Sequence, residues 1–160
     1  MHQPLGIPVI QSKKNLSFLD RFSGASGAYS LRRLVGDTSF NVVRVRRSSD
    51  NAEQDFTATE VVDGTLESWV GANDGFVSIW YDQSGNGNNA TQTVSASQPQ
   101  IVSSGSLVLV NGKPAIDFDG VSHHLITSLG YIVELYANDA QLSVVIDSDV
   151  SGANIAYARS

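Results

Sequence analysis

The chain has 160 residues, of which 41% are hydrophobic and 16% charged, and it contains no cysteine. That hydrophobic share argues against wholesale disorder, and a charged share below the roughly 25% of soluble domains argues against coiled coils and long solvated helices. The missing thiols exclude a disulfide framework, a thiolate zinc site and a cysteine nucleophile.

The N-terminal segment, residues 1–15, reads as an extended arm, because Pro4 and Pro8 remove backbone donors and disfavour helix around them. No apolar run approaches the ~18 residues of a membrane span. The first residues also lack a signal-peptide core, so the expectation is no membrane contact and no classical secretory route from this N-terminus. Residues 26–35 have helical spacing, with Ser26 as cap, Ala28, Leu31 and Leu34 or Val35 on one face, and Gly36 as stop. Asn41–Arg47 alternates, with Val43 and Val45 on one face and Arg44 and Arg46 on the other. A strand is expected over 56–62, and a short helix over 66–70 capped by Thr65. Further strands are expected over 76–82, 100–102, 107–110, 115–118, 125–127, 142–146 and 155–158, while 131–137 is open between helix and strand. Asn111-Gly112 is a hairpin signal between two of these strands. Many short strands joined by Gly, Asn and Ser turns predict an all-β sandwich.

Charge is uneven along the chain. Residues 1–47 carry eight Lys and Arg against two acids, whereas residues 48–160 carry two against fourteen. A basic third on an acidic body permits docking to an acidic neighbour or head-to-tail packing of identical copies. Nucleic acid is not expected, since the acidic body would repel a duplex and the arginines lack interleaved aromatics. For Arg32, Arg33, Arg44, Arg46 and Arg47 the expectation is a protein–protein contact or an internal ion-pair set with Asp50, Glu53 and Asp55.

Four stretches in order carry a resemblance: AYSLRRL at 28–34, VRVRRSSDNAEQDF at 43–56, IWYDQSGNGNNATQ at 79–92 and NGKPAIDFDG at 111–120. Together they resemble the concanavalin-A-like, laminin-G-like jelly-roll modules of bacteriophage tail and virion proteins. More distantly, they are similar to the catalytic domain of family 54 α-L-arabinofuranosidases. The resemblance implies a concanavalin-A-like β-sandwich (jelly roll) over residues 16–160, with one or two short helices and the arm before it. It implies an incomplete sandwich too, finished by another chain or by a longer protein. The arabinofuranosidases carry their nucleophile and acid in a later half that has no counterpart here, so no catalytic residue is carried over.

Several constellations invite chemistry. Asp82, Ser84 and Asn86 stand at positions 1, 3 and 5 of a calcium-like loop, with Gly87 at position 6, but position 12 is Thr93 rather than a bidentate acid. The expected role is a tight structural turn in which Gly85 and Gly87 take positive φ. Asp117 and Asp119 on a strand, with His123 or His124 returned by a hairpin, would suit a metal; a solvated strand face is the simpler expectation. Trp69, Trp80 and Tyr81 could stack on a sugar, although alternation over 76–82 places Phe76, Ser78 and Trp80 on one face and Val77, Ile79 and Tyr81 on the other, both buried. No nucleophile elbow, zincin motif or P-loop is present.

The expectation is a non-enzymatic virion component without cofactor, either tail- or fibre-associated or capsid-decorating. Its partners would be other virion proteins, and by analogy a homo-oligomer such as a trimer. Docking would use Leu5, Ile7, Val9 and Ile10 of the arm, with Lys13, Lys14 and Arg21 steering. The rivals are a carbohydrate-binding module for a host surface glycan and a degenerate or split glycosidase.

Overall fold

The computed structural model describes residues 17–21 and 24–127. A one-turn helix α1 (Phe18–Arg21) precedes strand β1 (Asn41–Arg47), whose burial departs from the expected alternation because Val42 and Arg46 are buried too. Val43 and Val45 are fully buried, and β1 pairs on both sides. On one side lies β2 (Glu53–Thr57), reached through a turn in which Asp50 accepts the Ala52 amide.

The expected strand over 56–62 ends early. Thr57 and Glu60 form a reciprocal capping box, in which Glu60 accepts the Thr57 amide at 2.8 Å and Thr57 Oγ1 accepts the Glu60 amide. That local pairing satisfies helix-start donors and converts the chain to α2 (Ala58–Val62). Helix α3 (Thr65–Val70) follows. Its N-cap is Gly64 at φ 92° rather than Thr65, and Asp63 accepts the Thr65 amide. The two helices bury Val61, Leu66 and Val70 against Val45, Phe56, Val77, Ile101 and Val102 of the sheet. Each fully buried Leu or Phe contributes about 1.5–3 kcal/mol through burial.

β3 (Gly75–Trp80) is the central strand. One edge pairs with β1. The other edge is shared: Ile79 and Trp80 pair with β4 (Ala90–Thr91), and Gly75 and Phe76 with β5 (Gln100–Ser103). β6 (Ser106–Leu107) joins β5, and β9 (Ile126–Thr127) joins β4. The result is a curled seven-stranded antiparallel sheet, half a barrel, with its apolar face under the two helices. Gly75 is required by this packing, since a Cβ there would lie 3.1–3.2 Å from side-chain carbons of Val45, Val102 and Val70.

Strict alternation over 76–82 does not hold. The β1–β3 register shifts between Arg44↔Ile79 and Val45↔Val77, which leaves Ser78 as an extra residue. Such a bulge resets the alternation. Phe76 therefore sits beneath Arg46, while Trp80 packs against the same core as Val77.

Asn111 and Gly112 form the expected hairpin, with φ 51° and 71°. It joins β7 (Leu109–Val110) to β8 (Lys113–Pro114) in a separate two-stranded sheet. The strand expected over 107–110 divides at Val108, which donates to Ile101 O. The one expected over 115–118 reduces to an isolated bridge between Asp117 and Gln100.

The helix expected over 26–35 is absent: residues 26–35 run without helix or strand, their backbone groups claimed by distant side chains. The segments at 131–137, 142–146 and 155–158 lie outside the described residues, as does the arm.

Candidate functional site

The stretch richest in polar side chains is the connection from β3 to β4. Its first carboxylate, Asp82, is 3% exposed. Oδ1 accepts the amides of Ala28 and Ser84, both at 2.8 Å, while Oδ2 accepts the Ser84 hydroxyl at 2.7 Å and the Asn88 amide at 3.0 Å. Burial pushes the Asp82 carboxyl up, but the donors from Ser84, Ala28 and Asn88 outweigh it and hold the group below its ordinary value. Four protein donors thus occupy the oxygens that a cation would need. Ser84 Oγ in turn accepts from Asn86, whose side chain also donates to Ala25 O at 2.8 Å. Gly85 and Gly87 hold φ of 90° and 74°, as a tight turn demands.

Gln83, next in sequence and 1% exposed, faces the same segment. Its amide nitrogen donates to Ser30 O at 2.9 Å and Arg32 O at 3.0 Å, and its oxygen accepts the Leu34 amide at 2.7 Å. Asn88 donates to Ser26 O, and the Tyr29 hydroxyl donates to Asn88 O. The loop is therefore a clamp that fastens residues 25–34 to the sheet. Nothing in the local pattern around Gln83 marks it for burial; its role depends on partners some fifty positions away.

Arg44 and Arg46 lie on the sheet face away from Val43 and Val45, whereas Arg47 reaches α3, where it donates to Trp69 O at 2.6 Å. Arg44 makes a two-pronged pair with Asp55 at 2.7 and 2.8 Å, and Tyr81 donates to the same carboxylate at 2.7 Å. Hydrogen bonding from Arg44 lowers the Asp55 carboxyl, whereas burial and the Asp55 contact push the Tyr81 hydroxyl up to about 12. Arg47 pairs with Asp50 and lies over the Trp69 ring at 4.8 Å, and its hydrogen bond holds the Asp50 carboxyl at about 2. Of the five arginines, Arg44 and Arg47 thus pair with acids of the expected set. Arg46 binds neutral oxygens instead, those of Gln98 and Asn51.

Beside Arg46 a groove of about 330 Å³ opens, lined also by Glu53, Ser78, Ile79, Gln92, Thr93 and Gln98. Arg46 Nε donates to Gln98 Oε1 at 2.6 Å, and Gln98 donates to Gln92 O at 2.9 Å, so these walls are rigidly set. Among the described residues, the buried Ser78 Oγ there meets no hydrogen-bond partner.

The aromatic candidates do not assemble into a sugar platform. Trp69 packs edge-on against Phe56 with ring centres 5.4 Å apart, Trp80 packs against Tyr29 at 5.8 Å, and Tyr81 is tied to Asp55. Asp119 and His123 do meet, but within one turn: Asp119 Oδ1 accepts the amides of Val121, Ser122 and His123, and His123 Nε2 lies 3.7 Å from Oδ2. Those amide donors hold the Asp119 carboxyl well below its usual range. His124 contacts Ser122 O, and Asp117 pairs through its backbone with Gln100. Among the described residues no three His, Asp or Glu side chains gather to hold a metal. Arg21 ends α1, while Leu5, Ile7, Val9, Ile10, Lys13 and Lys14 lie outside the described residues.

No protein-family model, curated protein or solved structure matches the chain.

Proposed function

We propose that the chain is a non-enzymatic structural module of a virion, tail- or fibre-associated or capsid-decorating, and that its curled sheet is one layer of a concanavalin-A-like jelly roll. The observation that carries the reading is the clamp. The stretch that most resembles the phage modules, and that holds most of the chain's reactive-looking groups, spends Asp82, Gln83, Asn86 and Asn88 on fastening residues 25–34. With Arg44, Arg46 and Arg47 engaged internally, docking through the basic third falls to Lys13, Lys14, Arg21 and the Arg32–Arg33 pair, beside the aliphatic arm. Deleting residues 1–12 leaves a soluble, folded domain that no longer enters its particle; incorporation at normal occupancy would make the arm a passive tail. Turnover of an aryl arabinofuranoside that vanishes on Asp117→Asn or Asp119→Asn would overturn the non-enzymatic assignment.

A second reading, recognition of a surface glycan, is favoured by the groove beside Arg46, whose fixed amides and hydroxyls suit a neutral polyol. Glycan binding that disappears in Glu53→Ala with Thr93→Ala would support it. Equal binding by the double variant would exclude the groove.

A further inference from the structure

A second groove, of about 350 Å³, lies on another part of the surface. Leu31, Ala58, Val62 and Pro114 give it an apolar lining, and Val62 is 62% exposed. Three exposed cations, Arg32, Arg33 and Lys113, line it too, and no carboxylate does. Such a site fits an apolar group flanked by negative charge.

The same chain displays that chemistry. In the turn after the Asp117 bridge, Phe118 is 42% and Val121 is 91% exposed, with Asp117 and Asp119 exposed beside them. This knob is held in shape, because the three backbone amides on Asp119 and the Ser122 hydroxyl at 2.8 Å fix the turn. A preformed knob loses little freedom on docking.

We propose that the cationic groove of one copy receives the 117–121 turn of a second copy, with Phe118 entering the apolar lining and Asp117 facing the cations. The excess of cations in residues 1–47 and of acids after them makes unlike surfaces of two copies attract. This inference deepens the assembly reading. Its test uses the isolated full-length chain, so its failure is distinguishable from a failure to enter a particle.

The experiment is sedimentation equilibrium with a charge swap. The wild-type chain self-associates at low ionic strength and dissociates as salt rises. A socket variant (Arg32→Glu, Arg33→Glu, Lys113→Glu) and a knob variant (Asp117→Lys) are each monomeric alone. Their equimolar mixture associates again, because each altered surface meets a complementary one. Phe118→Ser, at an exposed position outside the core, keeps the wild-type melting temperature and weakens association about tenfold or more. A monomeric wild type, single variants that associate as the wild type does, or a mixture that stays monomeric would each overturn the proposal. Should the socket variant fail to fold, undiminished association of Phe118→Ser would overturn it alone.

Discussion

The side-chain oxygen of Gln83 accepts the backbone N–H of Leu34 at 2.7 Å, across 49 positions of sequence. With the two bonds that Gln83 donates to Ser30 O and Arg32 O, one buried amide replaces the hydrogen bonds that a helix over 26–35 would have supplied. Propensity is a weak prior for so short a segment, and a fixed external partner overrides it.

Gln83→Leu therefore destabilises the domain by about 2–4 kcal/mol, since two carbonyls and one amide lose their partner in a buried place. Gln83→Glu is at least as harmful, because a carboxylate would face two carbonyl oxygens. Urea unfolding with an unchanged slope measures this directly. A loss below about 0.5 kcal/mol in both variants would show that the clamp is dispensable.

Gly85 and Gly87 test conformation apart from packing. A Cβ at either position meets nothing within 4 Å, so any cost of substitution is backbone strain at φ 90° or 74°. Gly85→Val and Gly87→Val each lower stability by more than about 1 kcal/mol, because a β-branched residue tolerates positive φ poorly. Full stability in both would argue against the turn geometry.

Asp82 links the clamp to pH. Its folded-state value lies below the ordinary 3.8, so its contribution is complete above that unfolded value and is lost as pH falls through the folded one. Asp82→Asn is accordingly less stable than the wild type at neutral pH, and the gap narrows as the solution is acidified below about pH 4. Thermal unfolding of the pair from pH 7 to pH 3 checks the sign. A gap that widens toward acid would contradict it.

A chelator leaves the melting temperature unchanged, because the Asp82 oxygens already hold four protein donors. A fall of more than a few degrees that calcium alone reverses would assign a cation to the loop.

Much of the β framework was legible in local pattern. The alternation of Val43, Arg44, Val45 and Arg46 places β1, and Asn111-Gly112 places a hairpin, because both depend on neighbours in sequence. The capping pair Thr57 and Glu60 was also present in the sequence, yet the β-branched run beside it favoured a strand. What stayed hidden depends on distant partners. Trp80 changes face because a bulge at Ser78 shifts the register against β1, and residues 26–35 lose their helix to Gln83 and Asp82. Of the site candidates, the Asp82–Asn86 turn was legible as structure, whereas the groove beside Arg46 needs Gln92 and Gln98 from a loop whose path no periodicity reveals.

The central claim is that the 82–88 loop works as a clamp on residues 25–34. Native-state amide hydrogen exchange at Ala28 and Leu34 tests it most directly. Both amides are protected in the wild type. Leu34 loses protection in Gln83→Leu and Ala28 in Asp82→Ala, while Val43 and Val45 in β1 keep theirs. Free exchange of Ala28 and Leu34 in the wild-type protein would contradict the clamp.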